Sequence, residues 1–411
     1  MRGIAEMLAS QGFAVRCIGT TATEGSPTSG EKGRDHAELV RSAGGTAHWV
    51  ELPGRGGPVG PPVGPPTGGD RVLVAERRGV EYLLVDVGRA GPSEWESRWG
   101  STYDGLLTRE LMEYPADVLL TMGGSPSERA RRRYVRERGA AVVFGLRNLS
   151  YQDRRAFADV DAVLVPSQFM QGLYRQAIGL ESVVIPSPLD PDDVLARNEP
   201  GGAERRFVTV INPTPSKGVA VMARLFEELS VRKPGIELLV VEARGTAGAL
   251  VACGLRGGFD LRRHRNIQVS PGVARPRDIW EVTRVAVAPS LWREPSGRVV
   301  AEALVNGVVP VVSDRGGLPE TAGDGGIVLG LPEALTPETI DPVGAEVVEA
   351  WIERVLELVE HDGLYASASV RAQRSGERFG WDRLAEAYSG FFGVIERGAD
   401  ETPGPGLGGS R

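Results

Sequence analysis

The sequence predicts an α/β protein made of two doubly wound halves and a closing helical end. Three observations predict it. Short apolar runs alternate with helix-like stretches along most of the chain, the pattern of βαβ units and parallel sheets. A segment rich in Pro, Asp and Gly, residues 186–204, interrupts the alternation as an interdomain linker would, and a second series follows it. The chain has 411 residues, enough for two domains at roughly 100–200 residues each.

Taken in order, residues 1–20 predict a helix and a strand. Ile4, Met7, Leu8 and Phe13 suit a helical face that ends near Gly12, and residues 13–18 suit a buried strand. Residues 54–69 are a run of Gly and Pro without a strict period of three, so they predict a flexible insertion rather than collagen. Strands are expected at 80–87 and 117–121, with a helix at 103–112 between them. The loop Met122-Gly-Gly-Ser-Pro126 follows, then a basic helix over 128–138, and strands at 140–144, 162–165 and 183–185. Beyond the linker, strands are expected at 207–211, 237–241, 267–269, 285–288 and 309–312, with helices between them. Long amphipathic helices are expected at 343–361 and 380–396. The predicted division is a first domain over 1–187, a second over 188–377, a helix over 378–397 packing back on the first, and a disordered tail over 398–411. Ligands of doubly wound sheets bind beyond the carboxyl ends of the strands, which puts the expected site in the cleft between the halves.

Composition narrows the function. A net charge of −7 argues against a nucleic-acid binder, which normally shows a basic face. Cys17 and Cys253 lie far apart without metal-type spacing, so no disulfide framework is expected and a reducing cytoplasm fits. None of the four histidines, His36, His48, His264 and His361, pairs with another at ligand spacing, and no metal site is expected. No apolar run approaches the ~20 residues that span a bilayer, and the N-terminus lacks the long apolar core of a signal peptide. The expected location is the cytoplasm, with peripheral contact at the inner membrane face left open.

Residues 289–320 carry the chemistry. A strand ends near Ala288, a loop presents Glu294, and a helix starts near Ser296 and Gly297. The free N–H groups of such a helix start suit a phosphate, and a glycine there lets the ligand approach the backbone. Glu302 lies eight positions after Glu294. Eight residues of helix rise about 12 Å, more than the roughly 5–9.5 Å between glycosidase carboxylates. The spacing suits holding two ends of a long ligand better than hydrolysing one bond. Carboxylates accept hydrogen bonds from sugar hydroxyls, so the pattern is that of a nucleotide-sugar site.

The run Glu294-Pro-Ser-Gly-Arg-Val-Val-Ala-Glu302, followed by Ala303-Leu-Val-Asn-Gly307, Pro310 and Ser313-Asp-Arg-Gly-Gly-Leu-Pro-Glu320, resembles the signature of the family-4 (group 1) retaining glycosyltransferases. The resemblance implies two Rossmann-like domains (the GT-B fold) with the donor site in the cleft between them. It implies that Glu302 holds the ribose hydroxyls, Glu294 the donor sugar, and Gly297 with Ser296 and Arg298 the diphosphate. Asn212-Pro-Thr-Pro-Ser-Lys217-Gly218 resembles the family's Arg-x-x-x-x-Lys-Gly element, with Lys217 on the lysine and Asn212 where the family has arginine. A lysine at a strand-to-helix junction can reach a phosphate. Arg244 can contact phosphate or form a surface ion pair, and Val273 lies where the family touches the base.

On the acceptor side, two loops point to the cleft, one with Gly123 and Gly124, the other with Arg147 and Asn148. Many family members carry a histidine at about Arg147. Here the arginine can neutralise a leaving diphosphate, bind an anionic acceptor or serve as a structural partner. The family's first strand is absent, and the chain begins inside the first helix. The expectation is that Met1 is a late start or the chain a truncated one.

The implied reaction moves a sugar from a nucleoside-diphosphate sugar to a hydroxyl of a glycan, lipid-linked or small-molecule acceptor. It proceeds with retention and without a required metal or a further cofactor, and Glu294 and Lys217 are the candidate catalytic residues. Two other readings stay open: a non-catalytic nucleotide-sugar-binding protein, and a sugar-nucleotide epimerase on a similar fold.

Overall fold

The computed structural model describes residues 2–21, 36–42, 44–52, 70–88, 90, 92–202, 204–273 and 275–400. The insertion expected at 54–69 and residues 401–411 of the expected tail lie outside them. The chain divides into two compact units. One comprises Met1–Phe144, Phe157–Asp161 and Ala385–Arg411; the other comprises Gly145–Ala156 and Ala162–Leu384.

The first unit opens with the helix Arg2–Ser10, which buries Ile4, Met7 and Leu8 as their spacing predicts. Its buried Glu6 takes Arg77 at 2.5 Å and Arg78 at 3.2 Å, so the charge is paired rather than stranded. Four strands form one sheet in the order β1-β4-β3-β2: β1 (Val15–Thr20), β2 (Thr46–Glu51), β3 (Arg71–Arg77) and β4 (Val80–Val85). β1 runs parallel to β4, whereas β3 is antiparallel to both β2 and β4. The parallel expectation is therefore corrected here. β2 and β3 were not expected, because β2 is half-exposed and stands as a strand only by pairing with β3. The helix expected over 103–112 runs from Pro92 to Glu113. Trp95, Trp99, Tyr103 and Leu106 form its apolar stripe and pack on Val72, Leu83, Val85 and Val87. β5 (Val118–Thr121) and β6 (Ala141–Gly145) pair in parallel.

In the second unit, β7 (Ala162–Val165) pairs in parallel with β8 (Val183–Val184). A six-stranded, wholly parallel sheet follows, in the order β11-β10-β9-β12-β13-β14. Its strands are β9 (Phe207–Ile211), β10 (Glu237–Val241), β11 (Ile267–Ser270), β12 (Thr283–Ala288), β13 (Val309–Ser313) and β14 (Ile327–Leu329). The central strands are apolar on both faces, as a sheet covered by helices requires. Phe226 and Leu229 of the helix Val219–Arg232 and Trp351 and Ile352 of Ala345–Glu360 fill the core.

Three features of this unit were not read from the sequence. β14 extends the sheet. Residues 186–204 are not a bare linker: Leu189 and Val194 enter the core, and Asn306 ties the segment through Ala196 N–H at 2.7 Å and Val194 C=O at 3.0 Å. The helix Asp362–Gly376 turns small residues, including Ser369, Ala372 and Gly376, toward the helix Arg298–Val305, and Ser369 Oγ donates to Gly307 C=O at 2.6 Å. The last helix, Trp381–Asp400, passes the expected end at 396 and takes in residues 398–400 of the expected tail.

The Phe226 side chain is fully buried. Phe226→Ala is expected to destabilise the second unit by about 3–5 kcal/mol, read as a lower midpoint in urea unfolding.

Candidate functional site

β9, β10 and β11 are laid down outward in one direction from the middle of the six-stranded sheet, and β12, β13 and β14 in the other. The strand order therefore reverses between β9 and β12, where a doubly wound sheet opens a crevice at the carboxyl ends. The segments that leave those two strands carry Lys217 and Glu294.

The two segments are tied together through one carbonyl. Ser216 C=O accepts from Leu291 N–H at 3.0 Å, Trp292 N–H at 2.9 Å and Ser290 Oγ at 3.1 Å. Gly218 adopts φ +87° with its Cα against the backbone of Pro289, where a Cβ would meet Pro289 C=O. Only glycine suits that conformation at that distance. Lys217 Nζ then donates to Glu294 Oε1, and Ser290 Oγ lies 2.9 Å from the same oxygen, its single proton shared between it and Ser216 C=O.

The loop beyond Glu294 turns its carbonyls inward. Glu294 C=O accepts from Gly317 N–H at 2.8 Å, Pro295 C=O from Ser167 Oγ, and Ser296 C=O from Thr321 Oγ1. Among the described residues the N–H groups of Ser296, Gly297, Arg298 and Val299 have no acceptor. Gly297 is the N-cap of the helix Arg298–Val305, at φ +96° and ψ 62°, and supplies no side-chain cap. Four open donors at a positive helix end form an anion site.

The geometry refines the spacing argument. Glu294 is not in the helix but in a bridge with Gly316, so only Glu302 rides on it. Glu302 is 6% exposed, and Arg298 Nε donates to its Oε1 at 2.7 Å. Burial pushes its carboxyl above the ordinary carboxylate range, and Arg298 pulls it back only in part.

The other candidates fall as follows. Asn212 follows β9 at φ +59°, and its Oδ1 accepts from Gly245 N–H at 2.7 Å. That bond gives it a role in shaping the β9 and β10 turns. Arg244 follows β10, exposed, with no hydrogen-bond or ion-pair partner among the described residues. Val273 follows β11 and packs partly buried on the core. Because the sheet is wholly parallel, all these residues lie along one edge of it.

Gly123 and Gly124 belong to the first unit, in the loop after β5, where Gly123 C=O accepts from Arg132. Arg147 and Asn148 belong to the second. Arg147 Nη1 donates to Ser187 Oγ at 2.8 Å, and Asn148 holds Ser150 N–H and the Tyr174 hydroxyl at 3.0 and 3.1 Å.

The sequence reading missed the residues that brace this loop. Glu320 stands at the end of the quoted motif without an assigned role. Its two oxygens accept from Gln168 and Phe169 N–H at 2.8 and 2.9 Å, capping the helix Gln168–Ile178 from outside. Ser167, the N-cap of that helix, accepts from Met170 N–H at 3.1 Å while donating to Pro295. The available signal was a serine between a strand and a helix. Its long-range bond had none. Both cysteines are free thiols pushed up to about 11 by burial, which leaves neither as a thiolate nucleophile at neutral pH. Among the described residues no three His, Cys, Asp or Glu side chains cluster as metal ligands, and no helix is long and apolar enough to cross a membrane.

The fold is the GT-B fold of two Rossmann-like α/β domains, shared with solved glycosyltransferase structures. More narrowly, residues 196–361 match the model of the family of glycosyl transferases group 1, a stretch that contains Lys217, Glu294 and Glu302. An uncharacterized glycosyltransferase of Bacillus subtilis (strain 168), YqgM, is 27% identical over 175 residues, which are 41% of this chain and 46% of that protein. The chain thus spans about half the length of this curated relative. Sucrose-phosphate synthase from Thermosynechococcus elongatus superposes with a TM-score of 0.61 at 14% identity, covering 97% of this chain and 92% of that one. Anabaena HepE in complex with UDP-glucose gives 0.59 at 14%, covering 92% and 99%. The catalytic domain of starch synthase IV from Arabidopsis thaliana, bound to ADP and acarbose, gives 0.60 at 12%, covering 94% and 99%. At these identities the structural likeness speaks for the fold.

Two outcomes follow. Gly297→Ala forces a side chain into a positive φ, costing about 1–2 kcal/mol, and sets its Cβ 2.6 Å from Leu318; chemical unfolding should show at least that loss. For Glu302, the folded chain keeps the proton over a range where the unfolded chain has released it. Its carboxylate therefore subtracts stability as pH rises above the ordinary carboxylate range. Glu302→Gln should melt above the wild type at neutral pH, with the gap closing once pH falls below that range.

Proposed function

We propose that the chain transfers a sugar from a nucleoside-diphosphate sugar to an acceptor hydroxyl, with retention, at the β9–β12 crevice. One observation carries the reading. Lys217 and Glu294 meet at the topological switch point, beside a helix start with four open amides. The group 1 match over the same residues supports it. So do the nucleoside diphosphates held by Anabaena HepE and starch synthase IV on this fold.

In this reading the diphosphate lies against the amides of residues 296–299, with Lys217 on its oxygens. The ammonium has three hydrogens, of which Glu294 takes one. Glu302, in the middle of the same helix, takes the ribose hydroxyls, and Glu294 takes hydroxyls of the donor sugar. Arg244 reaches the phosphates and Val273 lies by the base. The bond from the anomeric carbon to the diphosphate oxygen breaks, and one to the acceptor oxygen forms on the same face. The hydroxyl proton leaves with the diphosphate. Charge grows on the departing oxygen, so donors fixed before the reaction lower the barrier most. Lys217 and the helix amides meet that charge without a resident metal, and transfer should survive EDTA. Gly123, Gly124, Arg147 and Asn148 remain the candidates for the acceptor side. The acceptor is a hydroxyl-bearing glycan, lipid-linked sugar or small molecule.

The test is a donor panel of UDP-, GDP- and ADP-sugars with release of nucleoside diphosphate measured against acceptors. Glu302→Ala should abolish turnover in a folded protein, and near-normal transfer by that variant would sink the site assignment. Lys217→Ala should lower kcat about 10²–10³-fold. Donor binding in calorimetry without turnover across the panel would favour a non-catalytic binder instead.

A further inference from the structure

The loop that carries Glu294 has two exposed residues directly before it. Trp292 is 41% exposed, and of the seven tryptophans it alone stands open to solvent. Arg293 is exposed as well. Among the described residues neither the Trp292 indole N–H nor the Arg293 guanidinium has a hydrogen-bond or ion-pair partner. Elsewhere on the surface Arg155, Arg175 and Arg262 each pair with a carboxylate.

The backbone under both residues is fixed. Trp292 N–H donates to Ser216 C=O at 2.9 Å, and Glu294 bridges Gly316 and takes Gly317 N–H at 2.8 Å. The Arg293 guanidinium lies over the Phe169 ring, 5.2 Å from its centroid. Such stacking holds a guanidinium plane and leaves its five N–H groups unspent. Phe169 belongs to the helix Gln168–Ile178, which follows β7 and lies outside the six-stranded sheet. Arg293 therefore reaches from the Glu294 loop toward the β7 turn. It stands beside the carboxylate that takes the donor sugar and is not among the groups that take the diphosphate.

We propose that Trp292 and Arg293 form a lip that receives the acceptor, and that this acceptor is an anionic sugar. The guanidinium takes a carboxylate or phosphate carried by the acceptor. The indole packs against the apolar face of its ring, as an amphipathic aromatic at an exposed site can. The inference rests on the donor site proposed above, because a sugar held directly before Glu294 presents its hydroxyl beside the donor sugar. It gives the acceptor a charge class that the reading above leaves open.

The experiment follows release of nucleoside diphosphate by the full chain, with the donor that the panel selects. The acceptors are methyl glycosides matched at carbon 6: hydroxyl, carboxylate and 6-phosphate, each in the gluco, galacto and manno series. The wild type should use one anionic member at least about tenfold better than its neutral counterpart, and which one separates carboxylate from phosphate. Arg293→Gln should raise the KM of that member about ten- to a hundredfold. The neutral member and the affinity for UDP, GDP or ADP should not move. Arg293→Lys should recover part of the loss, and Trp292→Ala should raise KM for charged and neutral members alike. Use of neutral members at least as good as anionic ones, or of no anionic member at all, would overturn the proposal. So would a loss of diphosphate affinity in Arg293→Gln with the preference kept, which makes Arg293 a donor residue. A preference kept in Arg293→Gln while Glu302→Ala is inactive removes the lip and leaves the donor site standing. If the wild type releases diphosphate from no donor, both readings fall. If Arg293→Gln does not fold, salt decides: a KM for the anionic member that does not rise with ionic strength refutes the ion pair.

Discussion

Everything at the candidate site depends on the reversal of strand order between β9 and β12. Because these strands are neighbours and parallel, the turns that leave them emerge side by side. Ser216 C=O turns that adjacency into contact by gathering Leu291 N–H, Trp292 N–H and Ser290 Oγ. Lys217 and Glu294, 77 positions apart, become an ion pair as a result. The pairing is a consequence of topology more than of mutual attraction, since a part-exposed pair is worth little alone.

The loop that follows is organised by where its carbonyls go. Gly317, Ser167 and Thr321 take the carbonyls of residues 294–296, and the amides of 296–299 are left for a ligand. This is an electrostatic arrangement made before any substrate arrives, which is what stabilising a leaving anion requires. Arg378 adds to the bracing by donating to the carbonyls of Glu320 and Thr321. A mutation at Ser167 or Thr321 would therefore act on the site without touching a ligand.

Carboxylates at such a site carry a cost. Glu302 sits buried on a helix whose other face must pack closely on the small residues of Asp362–Gly376, and Arg298 offsets its charge in part. A core position occupied by a carboxylate is unfavourable for folding. Stability therefore does not explain its presence in the middle of the helix whose start carries the open amides.

The local features were legible in the sequence wherever one residue type answers one local demand. Gly297 and Gly218 sit at positive φ, β9, β10 and β13 are mostly apolar runs, and the helix start near 297 needed no partner to be recognised. The family match of the second half lies over the same residues that carried the resemblance in the sequence. What the tertiary structure alone decided were relations between distant segments. β2 and β3 exist by pairing with each other, Glu320 caps a helix some 150 positions away, and Arg147 donates to Ser187, 40 positions on. The physical reason is the same in each case. A backbone dihedral or an apolar period is fixed by neighbours in the chain, but a hydrogen bond across the fold is fixed by which strand the sheet places next to which.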